Sequence, residues 1–153
     1  MKSLTVAEYM TQSVHSINPE QPLAEAHALM RMHAIRHLPV LQGSELVGLV
    51  SMGDLHLLET LPGVEQFSAT VEEAMTTDPY LVERQTPLAE VAREMARRRL
   101  GAALVLEGGE VVGVFTAVDA LRALGDLASG QFESLAVIGV ATQRETLVVR
   151  LEE

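Results

Sequence analysis

Two short segments of the chain place a hydroxyl three residues before an acid: Ser51 with Asp54, and Thr116 with Asp119. A carboxylate can accept hydrogen bonds from both hydroxyls of a vicinal diol, and each bond to a charged group contributes about 1.5–3 kcal/mol. The same spacing is also a capping box, in which both side chains stabilise the start of a helix. The residues alone favour the capping box. The two roles are compatible, because a helix N-terminus also attracts anions.

Basic and imidazole side chains form a second group of candidates. The arginines at 97–99 close a predicted helix, where cations offset the helix dipole, and Arg99 is the one expected to turn inward. All five histidines lie in the first half of the chain: His15, His27, His33, His37 and His56. No acid stands at the spacing of a metalloprotease helix, so we do not expect a metal site. His27 lies on the apolar stripe of a predicted helix and is expected to pack in the core.

Sequence signatures of common catalysts are missing from the chain. It contains no GxxxxGK[ST], no GxGxxG after a strand, no GxSxG and no EF-hand loop. It also contains no cysteine, which excludes disulfides, thiolate nucleophiles, iron–sulfur clusters and cysteine-type zinc sites. These signatures therefore give no indication of a catalytic activity.

The composition is that of an acidic globular protein. Hydrophobic residues make up 48% of the 153 residues, and 21 acidic against 11 basic residues give a net charge of −10. This charge argues against nucleic acid and anionic membranes as partners. The longest apolar stretch, Leu135 to Ala141, is far shorter than the roughly 18 residues of a membrane span. These features predict a cytoplasmic protein.

An internal repeat organises the candidate residues. At an offset of 65 residues, with no gap, about 16 of 53 aligned pairs are identical. The matching segments are 6–11 with 71–76, 22–30 with 87–95, and 39–55 with 104–120. We predict a first repeat at 1–61, a linker at 62–70 and a second repeat at 71–125. Residues 126–153 form a C-terminal extension with two apolar runs, which predict a β-hairpin.

Each repeat is predicted to fold as β-α-β-β-α, which makes the chain a mixed α/β (α+β) protein. An extended segment precedes a helix opened by Pro22 or Pro87, and a glycine turn then joins two β-runs. The predicted hairpin strands are His37–Leu41 with Leu46–Val50, and Ala102–Leu106 with Val111–Phe115. Second helices are predicted to begin after Ser51 and Thr116 and to end near Leu61 and Leu124.

The repeat resembles the cystathionine β-synthase (CBS) domain, which occurs in tandem pairs called Bateman modules. The resemblance covers residues 4 to 124 and depends on motifs that recur in the same order in both copies. They are Met-Thr near each start, Pro-Leu at the first helix, Ile35–Val40, Gly48 and Gly113 in the second hairpin strands, and the Ser/Thr-x-x-Asp segments. The second copy departs from the motif at Gly101–Leu104. The basic pair of the first copy, Arg36 and His37, and its Pro39 have no counterpart there.

The resemblance implies two repeats packed as a pseudo-two-fold pair, with an adenosyl ligand in clefts between them: AMP, ADP, ATP or S-adenosylmethionine. It assigns Asp54 and Asp119 to the ribose, and Ser51 and Thr116 to the neighbourhood of the phosphates. Arg36 and His37 take the place of phosphate-facing basic residues, with Arg99 as a further candidate. Groups after the Met-Thr, where His15 and Tyr80 lie, and near the first hairpin strand, where Pro39 lies, would flank the adenine.

The resemblance implies a regulatory module that is not an enzyme and has no catalytic cofactor. The functional expectation is a stand-alone module that senses an adenosyl ligand, as in energy sensing, and signals its occupancy to an unknown regulated protein. The alternative is a scaffold with empty clefts that mediates protein–protein association, and a metal-dependent enzyme using the histidines ranks last. Leucines crowd the second helix, at positions 55, 57, 58 and 61, and predict a homodimer. Because only the first copy has the basic pair, the two clefts are expected to bind unequally.

Overall fold

The structure is a computed structural model that describes residues 3–12 and 14–131. The chain divides into two compact units, Met1–Ala117 and Val118–Glu153. The first repeat contributes a 3₁₀ turn at Val6–Glu8, α1 at Leu23–Met32, β1 at His37–Gln42, β2 at Glu45–Ser51 and α2 at Met52–Glu59. The second contributes α3 at Val71–Ala74, β3 at Leu81–Glu83, α4 at Leu88–Arg98, β4 at Ala102–Glu107, β5 at Glu110–Thr116 and α5 at Ala117–Asp126, followed by a π-helical turn at Leu127–Gln131. The predicted C-terminal hairpin lies outside the described residues.

Both predicted hairpins are present, and the mixed α/β class with two repeats is confirmed. Strands β1 and β2 pair antiparallel with His37 opposite Ser51, and β4 and β5 pair in the same way with Ala102 opposite Thr116. β1 and β4 extend one residue beyond their predicted C-terminal ends, and β2 and β5 extend one residue beyond both predicted ends. The turn glycines Gly43 and Gly108 have φ values of 63° and 58°, a backbone region that favours glycine.

The extended segment before each first helix runs parallel to the first hairpin strand, but it forms a strand only in the second repeat. In the second repeat this segment is β3, which pairs parallel with β4. In the first repeat it is a single parallel bridge between Ile17 and Val40. Pro22 and Pro87 are N-cap residues, one position before the first residue of each helix.

Two segments cross from one repeat to the other, and we call them the crossing segments. The first, Leu4–Thr11, packs on the second repeat: the Leu88 amide donates to the Leu4 carbonyl at 2.8 Å. At its far end Thr11 forms an antiparallel bridge with Val114 of β5, with N–O distances of 2.9 and 3.0 Å.

The second crossing segment, Thr70–Thr76, repeats this arrangement on the first repeat. The Val71 amide donates to the Gln21 carbonyl at 2.8 Å, and Thr76 bridges Leu49 of β2 with N–O distances of 2.8 and 2.9 Å. Val71 is completely buried in the core that Leu23, Leu38 and Leu55 of the first repeat form. The crossing is therefore reciprocal, which gives the pair its pseudo-two-fold character.

Each crossing passes over a strand glycine that has no room for a side chain. A Cβ on Gly48 would lie 2.7 Å from the Thr76 carbonyl oxygen and 2.8 Å from the Met75 sulfur. A Cβ on Gly113 would meet the Met10 sulfur first, with the Thr11 carbonyl oxygen at 3.2 Å. The two glycines of the repeat motif thus permit close backbone approach of the crossing segments.

Candidate functional site

The first Ser-x-x-Asp segment forms a capping box at the junction of β2 and α2. The Ser51 Oγ accepts a hydrogen bond from the Asp54 amide at 3.1 Å, and Asp54 Oδ2 accepts one from the Ser51 amide at 2.8 Å. In the described part of the chain, no donor reaches Asp54 Oδ1. The cap is therefore formed while one carboxylate oxygen stays available to a ligand.

His37 lies beside this cap, because it is the cross-strand partner of Ser51 in the β1–β2 hairpin. Burial lowers the pKa of His37, the positive charge of Arg36 lowers it further, and the negative charge of Asp54 opposes both. The His37 ring also lies on Gly101 of the second repeat, where a Cβ would be 3.1 Å from Nε2. The structure thus brings the Asp54 carboxylate and the His37 imidazole close together, with Arg36 next to His37 in the chain.

Arg36 has an exposed side chain on a fixed backbone. Its carbonyl accepts a hydrogen bond from the Met52 amide at 2.9 Å, and the Gly101 carbonyl accepts from Ala117 in the same way at 2.9 Å. Arg36 and Gly101 are therefore equivalent positions of the two repeats. Pro39 is buried, and its carbonyl accepts a hydrogen bond from the Ile17 amide at 3.0 Å.

His15 and Tyr80 are equivalent residues, and each packs against the end of the helix in its own repeat. The His15 and His33 rings stack with centroids 3.5 Å apart and planes 11° apart. The Arg98 guanidinium lies 5.4 Å from the Tyr80 ring centroid. Burial raises the pKa of Tyr80, with smaller contributions from nearby acids of α4.

The expectation that Arg99 turns inward is wrong. Arg99 is exposed and ends α4 in a left-handed conformation, with φ of 56°, as Ala34 does after α1 with φ of 52°. Arg98 instead contacts Tyr80. The 65-residue offset aligns Arg98 with His33 and Tyr80 with His15, so this contact is the equivalent of the His15–His33 stack in the first repeat.

Thr116 and Asp119, the second predicted pair, fall in different compact units. Thr116 ends β5 in the first unit and is half-buried. In the second unit the Asp119 side chain is almost fully buried and accepts a hydrogen bond from Arg122 at 3.2 Å. Arg122 lies outside the repeat motifs, although its spacing from Asp119 is that of neighbours on a helix.

The remaining histidines take part in side-chain contacts that the sequence analysis also missed. His27 is largely buried, as expected, and its Nε2 lies 2.5 Å from Glu59 Oε1, which joins α1 to α2. The His56 ring lies 5.7 Å from the His27 ring. Within residues 3–12 and 14–131, no three histidine or acidic side chains are grouped so as to hold a metal ion. No helix of this part is long and apolar enough to cross a membrane.

Known proteins of similar sequence and structure agree with this architecture. An inosine-5'-monophosphate dehydrogenase of Korarchaeum cryptofilum is 35% identical over 112 residues, which cover 72% of this chain and 22% of that enzyme. The chain thus spans about a fifth of the length of that relative. The crystal structure of CBSX2 in complex with AMP matches with a TM-score of 0.70 and 26% identity, covering 80% of this chain and 97% of that chain. The CBS domain of a bacterial CNNM/CorC-family Mg²⁺ transporter in complex with ATP matches with a TM-score of 0.66 and 27% identity, covering 77% and 84%.

The family assignment follows from both repeats together. The model of the CBS domain matches residues 6–57 and 71–126. These ranges contain the glycines beneath the crossing segments, the basic pair and both Ser/Thr-x-x-Asp segments. The chain belongs to the CBS domain family and carries two copies of the domain.

Proposed function

We propose that this chain is a regulatory module that binds a phosphorylated adenosine beside Ser51 and Asp54. The observation that carries the proposal is that Asp54, His37 and the backbone of Arg36 all lie at the N-terminus of α2. Asp54 Oδ1 accepts the ribose hydroxyls, while the basic side chains and the helix N-terminus attract the phosphate. Solved structures of two relatives contain AMP and ATP, which supports a ligand of this class.

The basic pair favours AMP, ADP or ATP over S-adenosylmethionine. Arg36 is exposed and carries a guanidinium whose geometry suits phosphate oxygens, whereas the sulfonium of S-adenosylmethionine is itself a cation. In a chain with a net charge of −10, local cations are needed to hold a phosphate. The equivalent positions Gly101 and Ala102 offer no cation, so we expect one strong and one weak site.

Calorimetry on paired variants tests the proposal. We expect Asp54→Asn to weaken AMP binding about ten- to a hundredfold, the equivalent of losing one charge-assisted hydrogen bond. Glu73→Gln is the matched control, because Glu73 forms the same kind of capping box with Thr70 on an exposed surface. We expect Arg36→Ala to weaken AMP more than adenosine. An Asp54→Asn variant that binds AMP like the control would exclude this site.

Signalling requires that the ligand bind two conformations of the module with different affinity. The output is a change of shape or surface recognised by a regulated protein, and the module itself catalyses no reaction. A cytoplasmic location and a homodimer belong to the same proposal.

The surface of α2 supports the alternative function, a scaffold for protein association. Leu55 is completely buried and Leu58 partly so, but Leu57 is 70% exposed. The helix ends at Glu59, before its predicted end, and Leu61 just beyond it is 51% exposed. An apolar surface of this kind is suited to association between copies of the chain. A chain that associates but shows no thermal shift with AMP, ADP, ATP or S-adenosylmethionine would favour the scaffold.

A further inference from the structure

His37 occupies a position that is neither surface nor core. It begins β1, faces Ser51 across the hairpin, and is partly buried with its ring against Gly101 of the second repeat. The glycine leaves the space that the ring fills, because a Cβ there would lie 3.1 Å from Nε2. The imidazole is therefore fixed beside the N-terminus of α2, where the proposed function places the phosphate.

Two charged residues influence the protonation of His37: Arg36 and Asp54. Arg36, which immediately precedes β1, disfavours the protonation of His37, and Asp54 on α2 favours it. Gly101, which lies against the ring, carries no side chain. Burial is the largest influence on His37 and disfavours the imidazolium, so the balance in the free chain favours the neutral ring.

A bound phosphate would reverse this balance. A phosphate monoester carries a charge of about −1.5 to −2 at neutral pH. Such a charge next to a desolvated imidazole favours its protonated form, because an opposite charge within about 4–6 Å raises the pKa of a histidine. The cation so formed would offset one phosphate charge that Arg36 alone leaves uncompensated.

We propose that His37 makes ligand binding proton-linked: the imidazole is neutral in the free chain and takes up a proton when a phosphate binds beside it. This inference rests on the proposed function and specifies its regulation. Phosphorylated adenosines bind more tightly as pH falls, whereas adenosine, which has no phosphate, binds with the same affinity at each pH. The site therefore responds to nucleotide and to acidity together.

Proton uptake can be measured directly. Calorimetric titration of the full chain with AMP in two buffers of different ionisation enthalpy gives the number of protons bound per AMP. We expect a fraction of a proton, at most one, to be taken up per AMP at about pH 7. Between about pH 8 and about pH 6.5, we expect the affinity for AMP to rise up to tenfold for each unit that the pH falls. The second ionisation of the phosphate, with a pKa of about 6, lies below this window. Adenosine titrated in the same buffers should show no uptake.

Two variants assign the proton to a residue. His37→Gln should bind AMP more weakly, with no proton uptake and no pH dependence in this window. His56→Gln is the matched control, because His56 is an exposed histidine on the same helix as Asp54. We expect this control to retain the uptake of the natural chain. If His37→Gln fails to fold, nuclear magnetic resonance titration of the His37 ring in the natural chain, with and without AMP, measures the same change.

The outcomes separate the inference from the proposed function. AMP binding without proton uptake, or with uptake that survives in His37→Gln, overturns the inference and leaves the proposed function standing. An unchanged His37 titration midpoint on adding AMP has the same meaning. No binding of AMP by the natural chain overturns both.

Discussion

Gly48→Ala should destabilise the chain much more than Gly113→Ala, although the two glycines are equivalent in the repeat. At Gly48 the added Cβ meets a backbone atom, the Thr76 carbonyl oxygen at 2.7 Å. That oxygen accepts the Leu49 amide at 2.9 Å, and the Thr76 amide donates to the Leu49 carbonyl at 2.8 Å. Relieving the clash therefore moves the backbone that makes both hydrogen bonds.

The magnitude follows from these contacts. Overpacking costs about 1–3 kcal/mol, and weakening a backbone hydrogen bond adds up to about 1 kcal/mol. We expect Gly48→Ala to lower the free energy of unfolding by about 2–4 kcal/mol. At Gly113 the nearest atom is the sulfur of Met10, a flexible side chain, and the Thr11 carbonyl oxygen is at 3.2 Å. A rotamer change relieves most of this clash, so we expect a loss of about 1 kcal/mol.

Urea denaturation of both variants measures the difference. With a slope of about 1–3 kcal/mol per molar urea, the two midpoints should differ by roughly 1 M. Gly53→Ala is the control, because its Cβ would meet only the Ser51 Oγ at 3.6 Å, and alanine within a helix adds about 0.5–1 kcal/mol of stability. Equal losses in the two strand variants, or a larger loss at Gly113, would refute the argument from the backbone clash.

Three further predictions follow from the pKa shifts and the exposed surface. The pKa of His37 is lowered by folding, so the free energy of unfolding should fall as the pH drops below about 6.5, and this loss should be smaller in His37→Gln when urea midpoints are compared. Burial is the main reason that the pKa of Tyr80 is raised, and the negative charge of Glu94 is the second. Glu94→Gln should therefore shift the tyrosine absorbance titration to lower pH, and an unchanged curve would contradict this. A Leu57→Glu and Leu61→Glu double variant should be monomeric by light scattering at concentrations where the natural chain is a dimer, and a natural chain that is itself monomeric would disprove the dimer.

The two hairpins and the first capping box could be predicted from the sequence. Each hairpin combines β-type runs with a glycine turn, and both signals are local, so the predicted strand ends differ from the structure by one residue. The Ser51–Asp54 capping box was also predictable, because its two residues are three positions apart on one helix turn. Local patterns of this kind depend little on the rest of the fold.

Contacts between distant segments could not be predicted in the same way. The contact of His37 with Gly101 joins residues of different repeats, and no periodicity in either repeat specifies it. The His27–Glu59 pair links two helices that are separated by the whole hairpin. The choice of Arg98 over Arg99 depends on where α4 ends, and helix ends are the least predictable positions of an element.

The crossing segments have a consequence for how the chain folds. A repeat separated at the linker would keep its own hairpin but lose the segment that covers its strand glycine, since Leu4–Thr11 pairs with β5 and Thr70–Thr76 with β2. Two such fragments could complete each other only by exchanging these segments, in the way that the subunits of a domain-swapped dimer exchange an element. Within one chain, neither half can open without stripping backbone hydrogen bonds from the other. The two repeats should therefore unfold in a single thermal transition, although the sequence contains them as two successive copies.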